Sequence, residues 1–148
     1  MVTEQALERF AARACRIVGL RGRVTVLVTG SREIRALNAR FRNERHATDV
    51  LSFPALPFSG SFAGDIAVSV DIAARNARQL GHSTDDEIRV LVLHGILHLA
   101  GYDHERDSGE MSEKERLLRR RLKLPAALIE RASGARKPGK LSRTRPRV

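Results

Sequence analysis

The segment TDDEIRVLVLHGILHLAG, residues 84–101, is the most informative stretch of the chain for the fold. Thr84 and Glu87 match the T-x-x-E capping box, in which two side chains satisfy backbone N–H groups at the start of a helix. An apolar run follows, and Gly101 is a typical residue at a helix C-terminus. Because this helix is apolar on nearly every face, we expect it to be buried at the centre of the molecule.

The segments around this helix alternate between helical and strand patterns. Apolar spacing predicts helices at 3–18, 31–41, 71–81 and 108–122, and β-branched or apolar runs predict strands at 23–29, 48–54 and 65–70. Ser31 and Asp71 are candidate N-caps, and Gly19 and Gly81 are candidate helix stops. This order predicts one α+β domain, with α/β as the alternative, in which helices pack on a small sheet. A fourth strand would have to lie in the weakly patterned regions.

The positive charge of the chain is unevenly distributed. The protein has 148 residues, which suits a single domain, and a formal charge of +10. Residues 131–148 contain seven Lys or Arg and no acid, so the rest of the chain carries only +3. We therefore predict a folded domain at 1–130 and a basic, disordered tail at 131–148, which has too little apolar surface to fold alone. The tail is either simply solvated or, as we favour, an arm that attracts phosphates.

Several classes of protein are disfavoured by the sequence. Apolar runs stay below the ~18 residues that a membrane span needs, and the N-terminal segment does not resemble a signal peptide. The single cysteine, Cys15, cannot form an internal disulfide, and we predict that it is a small buried hydrophobe. These features fit a cytoplasmic protein without a membrane partner.

Three of the five histidines lie in HGILHLAGYDH, residues 94–104. His94 and His98 are four residues apart and so share one face of the central helix. If Gly101 ends that helix, the chain can reverse and bring His104 back towards them. Three imidazoles could then hold one tetrahedral ion and leave a position open for water. A lone histidine in a core is usually a packing residue, but three with a helix-breaking glycine favour a metal site.

Zinc is the default ion for three nitrogen ligands, although nickel, iron or copper would accept the same set. Structural zinc is normally closed by four protein ligands, so three ligands indicate a catalytic site. We interpret Asp103 as a residue that orients a histidine or lies at the surface, in preference to a fourth ligand. The other two histidines, His46 and His82, are predicted to lie at the surface.

The histidine spacing also matches the metzincin protease motif H-E-x-x-H-x-x-G-x-x-H, except at one position. Gly95 stands where those proteases have the glutamate that takes a proton from the zinc-bound water. General-base catalysis contributes about 10²–10⁴ in rate. The motif therefore favours a metal site and argues against a protease.

The segment 94–104 is similar to the signature of the YbeY family of bacterial rRNA maturation endoribonucleases, H-G-x-L-H-L-x-G-Y-D-H. Four further blocks resemble that family in the same order: LNARFR (37–42), TDVLSFP (48–54), GDIAVS (64–69) and MSEKERLL (111–118). The resemblance covers roughly residues 24–122. Ala47 replaces a proline that the family often has, and the short N-terminal segment suggests that an early edge strand is missing or reduced.

The resemblance implies a small mixed sheet flanked by helices, with the metal in a cleft. It implies that His94, His98 and His104 bind one zinc ion and that Arg42 takes part in catalysis, where its planar fork would grip a phosphate. By its position alone, Arg42 would be an ordinary arginine at a helix end. The implied activity is a zinc-dependent, single-strand-specific endoribonuclease in 16S rRNA 3′-end maturation and ribosome quality control. The implied partners are rRNA and the ribosome or its small-subunit proteins.

The mechanism and two other functions stay open at this point. Without an evident general base, either a water activated at the metal or the 2′-hydroxyl of the RNA could attack the phosphodiester. Aromatic residues make up only 4% of the chain, so recognition should rest on phosphates and shape, with weak sequence preference and strong salt sensitivity. The alternatives are a noncatalytic zinc-containing ribosome-assembly factor and a metallohydrolase of another substrate, such as a peptide.

Overall fold

The computed structural model describes residues 1–42, 48–56, 60–103 and 106–125, without the side chains of Phe41 and Arg42. Along the chain the elements are α1 Glu4–Val18, β1 Arg23–Thr29, α2 Ser31–Arg42, β2 Val50–Pro54, β3 Phe62–Ser69, α3 Val70–Leu80, α4 Thr84–Leu99 and α5 Glu110–Leu122. Five helices and one small sheet confirm the predicted α+β class. The predicted tail, 131–148, lies outside the described residues.

The sheet is mixed, and its central strand is β3. The strand order is β1-β3-β2, with β3 parallel to β1 and antiparallel to β2. β3 begins at Phe62, earlier than the predicted residue 65, because pairing with the start of β1 extends it. The parts of the chain that the structure describes contain no fourth strand.

The two faces of the sheet carry cores of different size. The alternation of side chains along each strand sends Val26, Ile66 and Val68 to the face covered by α1 and α4, where most of the core lies. On the opposite face, α2 covers a smaller cluster formed by Ile34, Leu51 and Ala67. The larger core therefore lies between the sheet and α4.

Helix α4 has the central position that its composition predicts. It contacts strands β2 and β3 and the helices α1, α3 and α5. Its residues from Glu87 to Leu97 are buried except for Arg89. Burial on nearly every side explains why this helix lacks an amphipathic pattern.

The helix stops are confirmed, because Gly19, Gly81 and Gly101 all have left-handed backbone conformations, with φ of 89°, 80° and 103°. The predicted N-caps of α3 and α4 are wrong by one or two residues. Ser83, not Thr84, caps α4, because its hydroxyl accepts the N–H of Asp86 at 3.0 Å. Capping is decided by the local backbone, and Ser83 is the residue with the extended conformation that a cap requires.

Ser69 caps α3 in place of the predicted Asp71. The Asp71 carboxylate instead accepts the backbone N–H of Ser31 at 2.8 Å and the Ser69 hydroxyl at 2.9 Å. Hydrogen bonds from Ser31 and Ser69 hold the pKa of this carboxyl below its usual range. Asp71 therefore links the start of α2 to the start of α3.

Two further expectations concern Cys15 and membrane-spanning helices. Cys15 is buried in the main core, as predicted, and burial raises the pKa of its thiol. Among the described residues, none of the helices combines the length and the apolar composition needed to cross a lipid bilayer.

Candidate metal centre

His94 and His98 direct the same ring nitrogen towards one point. Their Nε2 atoms are 3.2 Å apart, and the two rings meet edge to face with an interplanar angle of 66°. Zinc binds imidazole nitrogen at about 2.0–2.1 Å, so two nitrogen ligands of one tetrahedral ion lie about 3.3–3.4 Å apart. The observed separation is close to the one that a shared ion requires.

The end of α4 determines how far each histidine is exposed. The N–H of Gly101 donates to the carbonyl of His98, and the N–H of Tyr102 donates to that of Leu97, both at 3.0 Å. These two bonds form a Schellman motif, which turns the chain sharply after the last helical turn. His94, one turn earlier, is fully buried, whereas His98 is partly exposed. One side of the pair is thus open to an approaching ligand.

A buried carboxylate that sequence reasoning missed supports His94 from behind. Oε1 of Glu115, on α5, lies 3.4 Å from Nδ1 of His94, and both side chains are almost completely buried. An Nδ1–H donated to this carboxylate leaves Nε2 unprotonated and more basic, as a metal ligand requires. Glu115 could have been found, because it shares a helix face with the apolar Met111, Leu118 and Leu122.

A small cleft lies next to His98. It has a volume of about 190 Å³, and its lining includes Ser52, His98, Tyr102 and Asp103. The side chain of Asp103 is 43% exposed, and its Oδ2 lies 3.6 Å from Nε of Arg106. Asp103 therefore lies on the wall of the cleft, which is compatible with a surface role.

At Gly95, helix α4 lies close against the sheet. A Cβ atom at this position would lie 2.9 Å from Oγ of Ser52 and 3.0 Å from Cδ1 of Ile66. The Ser52 hydroxyl also donates to the Gly95 carbonyl at 3.2 Å. The glutamate of the metzincin motif would therefore point into the packed sheet.

The remaining predicted residues are distributed as follows. His104, His46 and the side chain of Arg42 lie outside the described part of the chain. The surface prediction for His82 is wrong: its ring is only 12% exposed, and Nε2 lies 2.7 Å from Oε1 of the buried Glu87. Within the described residues, His, Cys, Asp and Glu form no group of three that could hold a metal, so the described part of the centre is a pair.

Comparison with known proteins identifies the family of this chain. The family model described as Endoribonuclease YbeY matches residues 2–123. The chain belongs to the YbeY family. A YbeY endoribonuclease from Koribacter versatilis is 58% identical over 139 residues, which cover 94% of this chain and 88% of the relative. One from Nautilia profundicola is 51% identical over 108 residues, or 73% and 78% of the two chains.

A solved structure shares the fold of this YbeY-family chain. The solution structure of TM1509 from Thermotoga maritima aligns with a TM-score of 0.54 at 35% sequence identity. The alignment covers 75% of each chain. Similarity of sequence and of fold therefore extends over most of the described residues.

The contact between Glu115 and His94 leads to a prediction for this YbeY-family site. Glu115→Gln is expected to weaken zinc binding by about 10–100-fold, because the amide cannot increase the basicity of the imidazole as a carboxylate does. Zinc affinity would be measured by competition with a chromophoric chelator. Glu113→Gln, which changes an exposed carboxylate on the same helix, is the matched control and should bind zinc normally. Equal zinc affinity in the two variants would contradict this role.

Proposed function

We propose that this protein is a cytoplasmic, zinc-dependent endoribonuclease that cleaves single-stranded RNA. Its natural substrate on this proposal is the 3′ end of 16S rRNA, and it takes part in ribosome biogenesis and quality control. The main support is the 3.2 Å separation of the Nε2 atoms of His94 and His98 beside an open cleft. The endoribonuclease names of the YbeY relatives support RNA as the substrate. The ribosomal target and partners follow from the family resemblance.

Each residue of the site has a specific task in this proposal. His94, His98 and His104 would hold the zinc ion, which would stabilise charge on a phosphoryl oxygen and acidify water. Glu115 fixes the ring orientation and proton position of His94. Partial exposure of His98 lets a phosphodiester approach from the cleft, and Arg42 would bind a neighbouring phosphate.

The structure favours this function over the two alternatives. A zinc ion that only holds the fold would normally be closed off by four protein ligands. Here one histidine of the pair opens on a cleft of about 190 Å³, which leaves room for a substrate group. Peptide hydrolysis of the metzincin kind is disfavoured because the space beside Gly95 is filled by Ser52 and Ile66.

A substrate panel tests the proposal directly. The zinc-loaded protein should cleave single-stranded RNA, act more slowly on double-stranded RNA and leave peptides intact. Removal of zinc by a chelator should abolish cleavage, and added zinc should restore it. Products with a 5′-hydroxyl and a 2′,3′-cyclic phosphate, or the phosphate formed by its hydrolysis, would assign attack to the 2′-hydroxyl. Products with a 3′-hydroxyl and a 5′-phosphate would assign it to water. Cleavage that persists without zinc, or cleavage of the peptide, would overturn the proposal.

A further inference from the structure

A large groove lies between α1 and the start of β1. The residues that line it are far from His94 and His98 in the sequence. Its volume is about 910 Å³. Its charged lining consists of Arg9 and Arg16 on α1, Arg21 and Arg23 around the start of β1, and a single carboxylate, Glu8. All five side chains belong to exposed residues. We call this feature the arginine groove.

The charge of the arginine groove is not neutralised by the surrounding protein. In the part of the chain that the structure describes, Arg9, Arg16 and Arg21 form no ion pair with a carboxylate. Arg23 lies over the Phe62 ring, with its guanidinium carbon 5.7 Å from the ring centroid. Unpaired guanidinium groups along one groove create a positive potential that attracts a chain of anions. Their planar forks match phosphate oxygens in particular.

The arginine groove and the cleft beside the histidine pair are linked by residues that line neighbouring depressions of the surface. Gly19 and Leu20 line both the arginine groove and a smaller depression of about 280 Å³. That depression is also lined by Gly101 and Tyr102, which in turn line the cleft that contains His98. At Gly19 and Gly101, no atom lies within 4 Å of the position a Cβ would occupy. At these two positions, therefore, nothing obstructs the surface between groove and cleft.

The geometry points to the arginine groove as a second RNA-binding site, which holds the phosphate backbone of single-stranded RNA flanking the cleavage position. The inference rests on the proposed function, because the RNA runs from this groove over Gly19 and Leu20 to the cleft at His98. Tyr102, the single tyrosine of the chain, lies where the depression meets the cleft and offers one ring for a base. Phosphate contacts bind a flanking segment without selecting its sequence.

RNA is a better occupant of the arginine groove than an acidic protein segment. The groove lies next to the depression that adjoins the candidate catalytic cleft. An RNA strand bound along the groove would therefore reach His98. A flexible single strand can adapt its path to the surface from groove to cleft, whereas a duplex is stiff over this distance.

Binding to full-length protein carrying His98→Ala tests the groove without any cleavage. The groove variant combines Arg16→Ala with Arg21→Ala. The control combines Arg75→Ala with Arg78→Ala, which removes the same charge from exposed positions on α3. Fluorescence anisotropy would follow labelled single-stranded RNA of ~20 nucleotides, longer than the ~4–16 that a small single-strand-binding fold covers, and RNA of ~4 nucleotides. Circular dichroism would check that each variant is folded.

The groove variant is expected to bind the long RNA about tenfold more weakly than the control and the short RNA equally well. Loss of two phosphate contacts should also reduce the slope of log Kd against log salt by about 1.4. Equal affinity of the two variants for the long RNA would overturn the inference and leave an acidic protein as the candidate occupant. An equal loss on the short RNA would overturn it as well, because the effect would then not depend on a flanking segment, which only the long RNA has. These readouts do not depend on cleavage, so failure of the proposed nuclease function is seen separately.

Discussion

His98→Ala is expected to abolish stoichiometric zinc binding and to reduce RNA cleavage by more than about 100-fold. Changes to residues that only support a metal ligand already cost about 10–100-fold, and this variant removes a ligand itself. His98 is partly exposed in the last turn of α4, so the free energy of unfolding of the zinc-free protein should change by about 1 kcal/mol or less. Zinc content by mass spectrometry and single-turnover cleavage would measure the two effects.

His82→Gln is the matched control for this variant. It also removes a histidine from the neighbourhood of α4, but at the opposite end of the helix, and the new amide can still donate to Glu87. It should bind one zinc ion and cleave RNA at the wild-type rate. If His98→Ala retained both stoichiometric zinc and wild-type cleavage, the histidine pair would not be the metal centre.

Gly95→Glu is expected to prevent folding and to confer no peptidase activity. A Cβ atom here would lie 2.9 Å from Oγ of Ser52 and 3.0 Å from Cδ1 of Ile66. A longer side chain would therefore overlap with atoms of the sheet. Overpacking of a core costs about 1–3 kcal/mol, and a buried unpaired carboxylate adds several more. The sum is comparable with the whole stability of a small domain. Soluble yield, circular dichroism and a peptide assay would test this.

Gly95→Ala keeps the prediction measurable if the glutamate variant is insoluble. Glycine to alanine in an exposed helix interior would stabilise the helix by about 1 kcal/mol. At this position we expect destabilisation by about 1–3 kcal/mol instead, measured as the urea midpoint. Gly30→Ala is the control, because a Cβ there has no neighbour within 4 Å, and it should be nearly neutral. Stabilisation by Gly95→Ala would show that α4 does not approach the sheet this closely.

Much of the secondary structure followed from local signals. The stops at Gly19, Gly81 and Gly101 are confirmed, because a left-handed residue that ends a helix is specified by the glycine itself. Strand β1 has the predicted bounds, since its β-branched run is flanked by Gly22 and Gly30. The caps of α3 and α4 were wrong because neighbouring serine, threonine and aspartate residues are nearly equivalent as caps.

Long-range contacts explain what sequence reasoning missed. The prediction of a surface position for His82 failed because the partner of its ring, Glu87, is buried against the core. Glu115 was missed because the basic residues around it make α5 resemble an exposed helix. In both cases the sequence did contain a signal of a buried partner: a glutamate that shares a helix face with apolar residues.

The sequence by itself determined the helices and their glycine stops, the α+β class and the pairing of His94 with His98, because each depends on spacing within a few residues. Only the tertiary structure decided the central place of β3, the need for Gly95 against the sheet, the carboxylate behind His94 and the arginines that line one groove. These features join residues far apart in the chain, such as His94 and Glu115, separated by 21 positions. Local preferences do not specify which distant residues meet, since that choice is made by packing of the whole core.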